Sequence, residues 1–305
     1  MVLRFLYIKF ITYIIIKMKI LFIIACCHHK NLNFIKNCKN IDFYFINSSN
    51  DIHNLDLAQF DCVFSPSEPI NVSKYPDTKF IFGPRFSVFP IKQHMEMIKG
   101  DKTIYIQPSL WAMTVWKNDS ICNDIKLQSF CFGVDTQKFI DIKPIHERNN
   151  VIIYFKHRNP RELQLIELFL QSKSIQYKVF SYDHKYNEYD YISYLQNTKF
   201  MICVDAHESQ GFAIEEALSC NVPLLVWNVS SMNQEYGVNY NDIPATTIPY
   251  WNESCGEFFY TYEELNEKFN TFISKLNSYN PRKFVLDNLS IDVCEQKLID
   301  LVINI

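Results

Sequence analysis

Glu208-Ser209-Gln210-Gly211-Phe212-Ala213-Ile214-Glu215-Glu216-Ala217-Leu218-Ser219-Cys220-Asn221-Val222-Pro223 decides how this chain reads. Glu208 and Glu216 stand eight residues apart, with a single glycine and the opening of a helix between them. An apolar run of strand length, 200–204, precedes the stretch, and another, 224–227, follows it. A helix that starts just beyond the carboxyl end of a strand is a ready phosphate site. Its first N–H groups lack partners, and its dipole is positive there.

Outward from this stretch, strand and helix patterns alternate. Apolar runs at 20–25, 43–46, 62–64, 79–82, 103–106 and 127–132 are separated by helical segments such as 91–99 and 110–117. A second series begins at 151: strand 151–155, helix 161–171, strand 176–181, helix 189–196, strand 200–204, helix 211–220, strand 222–227. Alternation at this spacing predicts βαβ units and parallel sheets. The polar, proline-containing stretch 141–150 reads as a linker. The expected architecture is therefore α/β, with two doubly wound, Rossmann-like domains and ligand at the carboxyl ends of the strands. The tail at 262–276 and 293–302 is amphipathic and helical. Expected divisions are an extension at 1–17, a first domain at 18–145, a second at 146–285 and a crossover helix at 286–305.

A chain of 305 residues is long enough for two cores. The net charge of −3 leaves no basic excess for nucleic acid, so none is expected as a partner. Ten cysteines are scattered without C-x-x-C spacing, which argues for reduced thiols and against zinc. At the N-terminus, lysines at 9, 17 and 19 break the apolar run, so no clean span of about 20 residues forms. Seven Lys or Arg and no Asp or Glu precede Asp42. That bias fits either peripheral contact with an anionic membrane or a solvated basic face. The expected location is cytoplasmic, with or without such contact.

Two further motifs join the opening stretch. Glu208 to Pro223 resembles the E-x7-E signature of retaining GT-B glycosyltransferases of the family 4 type, the group 1 glycosyltransferases. Gly133-Val134-Asp135-Thr136-Gln137-Lys138-Phe139 resembles the G-V-D-x-x-x-F segment of that family, and Pro108-Ser109-Leu110-Trp111 resembles its P-S-x-W segment. The three stand in the family's order, and the resemblance covers about residues 18–301. It implies a GT-B fold whose C-terminal helix returns towards the first domain. It also implies a hexosyltransferase reaction with retention at the anomeric carbon. The donor would be a nucleotide diphosphate sugar, the acceptor a glycan, lipid or protein hydroxyl.

Roles follow residue by residue. Gly211 lets the N–H groups of Gly211, Phe212 and Ala213 face a diphosphate. By resemblance Glu208 holds the donor sugar and Glu216 the ribose. Glu216 lies about 7–8 Å along the helix, roughly the span from diphosphate to ribose. Glu215 is rotated by about 100° and faces elsewhere. Lys156, Arg158 and Arg161 follow the first strand of the second domain, where the family places cations against the leaving diphosphate. Their order leaves open which of them does so.

Two departures stand out. Asn221 replaces the family's glycine at a helix C′ position, where Asn is the next best residue. Ala25-Cys26-Cys27-His28-His29-Lys30 contains no glycine where the family carries a Gly-rich loop. His28 or His29 could reach an acceptor there, although adjacent histidines are commonly incidental. His207 reads as structural, and the aromatic stretches at 248–251 and 255–257 have no evident role. No Asp-x-Asp occurs, which speaks against metal-dependent transfer, and no P-loop or G-x-G-x-x-G suggests another cofactor. No metal or cofactor is expected. The rival expectations are a non-catalytic GT-B module that binds glycan or nucleotide sugar, and an epimerase or sugar phosphorylase on the same fold.

Overall fold

The computed structural model describes residues 17–305 except 183 and 185, so the expected extension, apart from Lys17, lies outside the described residues. The first sheet contains β1 (Met18–Ile23), β2 (Ile41–Ile46), β3 (Cys62–Ser65), β4 (Phe80–Phe82), β5 (Thr103–Gln107) and β6 (Leu127–Ser129), in the order β2-β1-β3-β4-β5-β6. The second contains β7 (Asn150–Lys156), β8 (Lys178–Ser181), β9 (Thr198–Asp205), β10 (Leu224–Trp227) and β11 (Gly256–Phe259), in the order β11-β10-β9-β7-β8. All pairings are parallel.

Around them lie α1 (His29–Asn37), α2 (Lys92–Ile98), α3 (Leu110–Lys117), α4 (Pro160–Ser172), α5 (Glu188–Leu195), α6 (Phe212–Ser219), α7 (Leu265–Ser274), α8 (Pro281–Asn288) and α9 (Ile291–Asn304). The central strands read as continuous apolar runs because helices cover both faces of a parallel sheet. In β9 every residue except Lys199 is buried. Helix starts follow local chemistry: Asn159 caps α4, Pro160 opens it, and Glu162 reaches back to the cap as a capping box.

In both sheets the first strand lies between the second and third, β1 between β2 and β3, β7 between β8 and β9. The chain winds outwards in opposite directions from these points, which opens a crevice at the carboxyl ends. The two halves are also packed together. One apolar cluster contains Phe22 and Phe132 from the first half, Ile152 and Leu224 from the second, and Leu298 of α9. Helix α9 returns to the first sheet, where Asn40 N–H donates to Glu295 at 2.5 Å and Lys79 donates to the Val302 carbonyl at 2.8 Å.

Three expectations shift. The strand expected to reach residue 132 stops at Ser129. Phe130 N–H still reaches the Gln107 carbonyl at 2.8 Å, but Phe132 N–H turns to Gln210 of the second half. Of residues 255–257, unassigned by pattern, Gly256 and Glu257 begin the edge strand β11. A helix absent from the pattern, α8, packs on α6.

Gly256 permits the edge strand. Its φ is +137°, and a Cβ there would meet the Leu224 carbonyl oxygen at 1.9 Å. Gly256→Ala is therefore expected to cost about 3 kcal/mol or more, since both backbone strain and an immovable contact oppose it. Thermal unfolding of the variant measures this, and an unchanged Tm would refute it.

Candidate functional site

The site lies where β7 and β9 end opposite the loop after β1. Gly211 caps α6 in the left-handed conformation, with φ 82° and ψ 44°, and no side chain caps the helix. Glycine adopts that conformation without a Cβ penalty. One first-turn residue is already covered from the other half, since Phe212 stacks on His28 at 5.7 Å with the rings 4° apart.

Glu208 and Lys156 come together as expected of neighbours in one site. The Lys156 ammonium donates to Glu208 Oε1 and lies 5.0 Å from the Tyr182 ring centroid. Burial alone would lower the basicity of Lys156, yet Asp205 and Glu208 together hold it above its ordinary value. Asp205 ends β9, is buried, and has neither carboxylate oxygen hydrogen-bonded. Burial, then the negative charge of Glu208, pushes its carboxyl well above the usual range. The strand pattern gave no signal for this acid.

Arg158 corrects an expectation. It is 2% exposed, and its donors are occupied: Nε and Nη2 bind Glu162 at 2.8 and 2.6 Å, and Nη1 binds the carbonyls of Asp205 and Trp227 at 3.2 and 3.1 Å. A guanidinium tied to a carboxylate and two strand ends is a clamp for the sheet and is unavailable to a diphosphate. Arg161 sits exposed on the first turn of α4. Of the three candidate cations, Lys156 alone stands against Glu208.

Glu216 holds a partner the local pattern could not reveal. Its side chain is buried, and the Lys30 ammonium of α1 donates both to it and to Glu188, which Lys138 also binds at 2.6 Å. Burial pushes the Glu216 carboxyl up to about 7, with the Lys30 charge pulling the other way. A cavity of about 140 Å3 lies here, lined by His29, Lys30, Lys138, Glu188, Phe212 and Glu216 among others. Glu215 turns away as expected: Gln210 donates to it at 2.7 Å, and burial raises its carboxyl well above the usual range. His28 caps α1, accepting from Lys30 N–H at 3.3 Å. Burial, then the neighbouring His29 and Arg85, lowers His28 to about 4, so it is neutral at neutral pH.

The loop 208–211 is fastened across the crevice. Trp111 Nε1 donates to the Glu208 carbonyl at 2.9 Å, and the Gln210 amide pairs with both N–H and carbonyl of Phe132 at 3.2 and 3.0 Å. Tyr250, from the unexplained aromatic stretch, donates to the Pro108 carbonyl. Trp111 and residues 131–132 thus act as struts that hold the glutamate loop. Beside Glu208 opens a larger cavity of about 400 Å3, walled by Arg85, Phe89 and Trp111 from the first half and by His207, Met232 and Tyr240 from the second.

No family model and no curated protein sequence matches the chain. Solved structures do. The chain is similar to the sucrose-phosphate synthase from Thermosynechococcus elongatus, with a TM-score of 0.54 at 8% identity, covering 93% of this chain and 98% of that one. It is also similar to the Candida albicans trehalose-6-phosphate phosphatase N-terminal domain, with a TM-score of 0.56 at 8% identity and 94% and 96% coverage. The fold is GT-B. At such low identity the likeness is one of fold, so the GT-B crevice must be read from its own residues. Among the described residues, no helix is long and apolar enough to cross a membrane.

Proposed function

We propose that the protein is a retaining glycosyltransferase that moves a hexose-type sugar from a nucleotide diphosphate donor to an acceptor hydroxyl. One observation carries the reading. Glu208, the left-handed Gly211 and Glu216 follow one another along a single helix start, and Lys156 stands on Glu208 at the switch point of the sheet. The spacing suits a sugar, a diphosphate and a ribose in that order. The GT-B fold and the three sequence motifs support it.

In this reading the α6 N–H groups and Lys156 stabilise negative charge that develops on the departing diphosphate. Glu208 holds the donor sugar and Glu216 the ribose hydroxyls. The leaving phosphate takes the acceptor proton, so no protein nucleophile is required. The acceptor enters the larger cavity beside Glu208.

The Lys30–Glu216 ion pair favours a second reading, a non-catalytic module, because it fills the place assigned to ribose. The two separate in one experiment. The purified protein is incubated with UDP-, GDP-, ADP- and dTDP-sugars, with and without simple glycoside acceptors, and nucleoside diphosphate release is followed. Release, with product of unchanged anomeric configuration by NMR, is the expected outcome. Binding without release would support the module and overturn the enzyme.

A further inference from the structure

His207 is built into the wall of the larger cavity in a way that a structural histidine does not require. Its ring is gripped edge-to-face by Trp111 of one half, at 5.6 Å and 87°, and by Tyr240 of the other, at 5.6 Å and 76°. Tyr240 is in turn braced by Phe89 at 6.1 Å. The Nε2 atom lies 3.5 Å from Glu235 Oε2, while Nδ1 is buried without a hydrogen-bond partner. Glu235 is shared with His157, whose Nδ1 lies 3.9 Å from its other oxygen. A buried polar atom left unpaired costs free energy, and this one sits on a ring that lines the cavity, where a turn of the imidazole would offer it to a ligand group. The next residue in the chain is Glu208.

We propose that His207, oriented by Glu235, accepts a hydrogen bond from a second hydroxyl of the acceptor, next to the attacking one, and so directs the attacking oxygen, whose own proton goes to the leaving phosphate, towards the sugar held by Glu208. The proposal rests on the glycosyl-transfer reading and deepens its acceptor side. With Nε2 keeping its proton towards Glu235, Nδ1 carries the free lone pair. The aromatic walls Trp111, Phe89 and Tyr240 suit the C–H faces of a sugar ring, which makes a glycoside the acceptor class. Only the neutral imidazole can accept. Burial lowers its basicity, Glu235 and Glu208 raise it, and Lys156 and His157 lower it again, with a net lowering. Acceptor KM is therefore expected to rise as pH falls below the ordinary histidine range.

The test uses two assays on the full chain. One follows hydrolysis of the donor without acceptor; the other follows transfer to methyl glycosides that stimulate donor turnover. His207→Phe is expected to lower kcat/KM for the acceptor by about 10–100-fold and to abolish the low-pH rise in acceptor KM. Donor hydrolysis and donor KM stay within about twofold, the scatter of an uninvolved site. His207→Asn, which returns an acceptor atom near the Nδ1 position, restores part of the transfer. Wild-type transfer in His207→Phe overturns the proposal, and so does an equal loss of hydrolysis and transfer in both variants, which marks a structural role. Absence of donor turnover by the wild-type protein under every condition sinks the parent reading, and this one with it.

Discussion

Glu208→Gln is expected to lower kcat for sugar transfer by about 100-fold or more, with donor KM changed far less. Gln keeps the shape and the hydrogen-bonding capacity but removes the charge, so the loss isolates the carboxylate. The loop itself is held by its backbone: Glu208 N–H donates to the Thr246 carbonyl at 3.0 Å, and Trp111 donates to the Glu208 carbonyl at 2.9 Å. The geometry should survive. Lys156 then loses its carboxylate partner and leans on Asp205, the larger of its two charge neighbours. Asp205 in turn loses the neighbouring negative charge that helps keep it protonated. The variant is therefore expected to ionise Asp205 more readily, which leaves a negative charge near Lys156 and limits the cost to stability. A variant with wild-type kcat would remove Glu208 from the chemistry.

The second large effect concerns Glu216 and has opposite signs on the two sides of one ion pair. Glu216→Ala is expected to raise donor KM by about 10–100-fold, the range for losing hydrogen bonds to a buried charged group. Lys30→Met is expected to lower donor KM, because Lys30 competes with the ribose for the same carboxylate. A rise in KM in both variants would mean that Lys30 contacts the donor and does not compete with it.

The pair also leaves a signature in stability. Burial raises the folded-state Glu216 carboxyl to about 7 from its ordinary 4.5, against the pull of Lys30. A raised acid stabilises fully below its unfolded value, and that stability is lost as pH rises through the folded value. The Glu216 contribution should therefore fall between pH 4.5 and about 7, and Glu216→Gln should flatten the slope of Tm over that window. An unchanged slope would show that the carboxyl is ionised throughout.

Much of the fold was legible because its causes are local. Continuous apolar runs such as 200–204 announce a strand covered on both faces, and β9 occupies Thr198–Asp205. The helix start at Gly211 follows from a backbone preference that depends on a few neighbours. The edge strand β11 was not legible. It exists because Gly256 can lie against the Leu224 carbonyl, and that contact spans two strands. Within the site, the three candidate cations had equal standing in the sequence. Strand-end geometry separated them, since the Arg158 guanidinium meets two carbonyl groups and Glu162, while the Lys156 ammonium meets Glu208.

The sequence by itself therefore determined the alternation of strands and helices, the doubly wound sheets and the opening of α6 at Gly211. Each depends on periodicity and backbone preference over about ten to twenty residues. The tertiary structure alone decided which charges meet. Lys30 reaches Glu216 across 186 residues of chain, and Trp111 reaches the Glu208 loop across 97. No local pattern encodes such a meeting. It depends on strand order and on how the two halves pack, and in a buried crevice an ion pair forms only where that packing brings the two groups within a few ångströms.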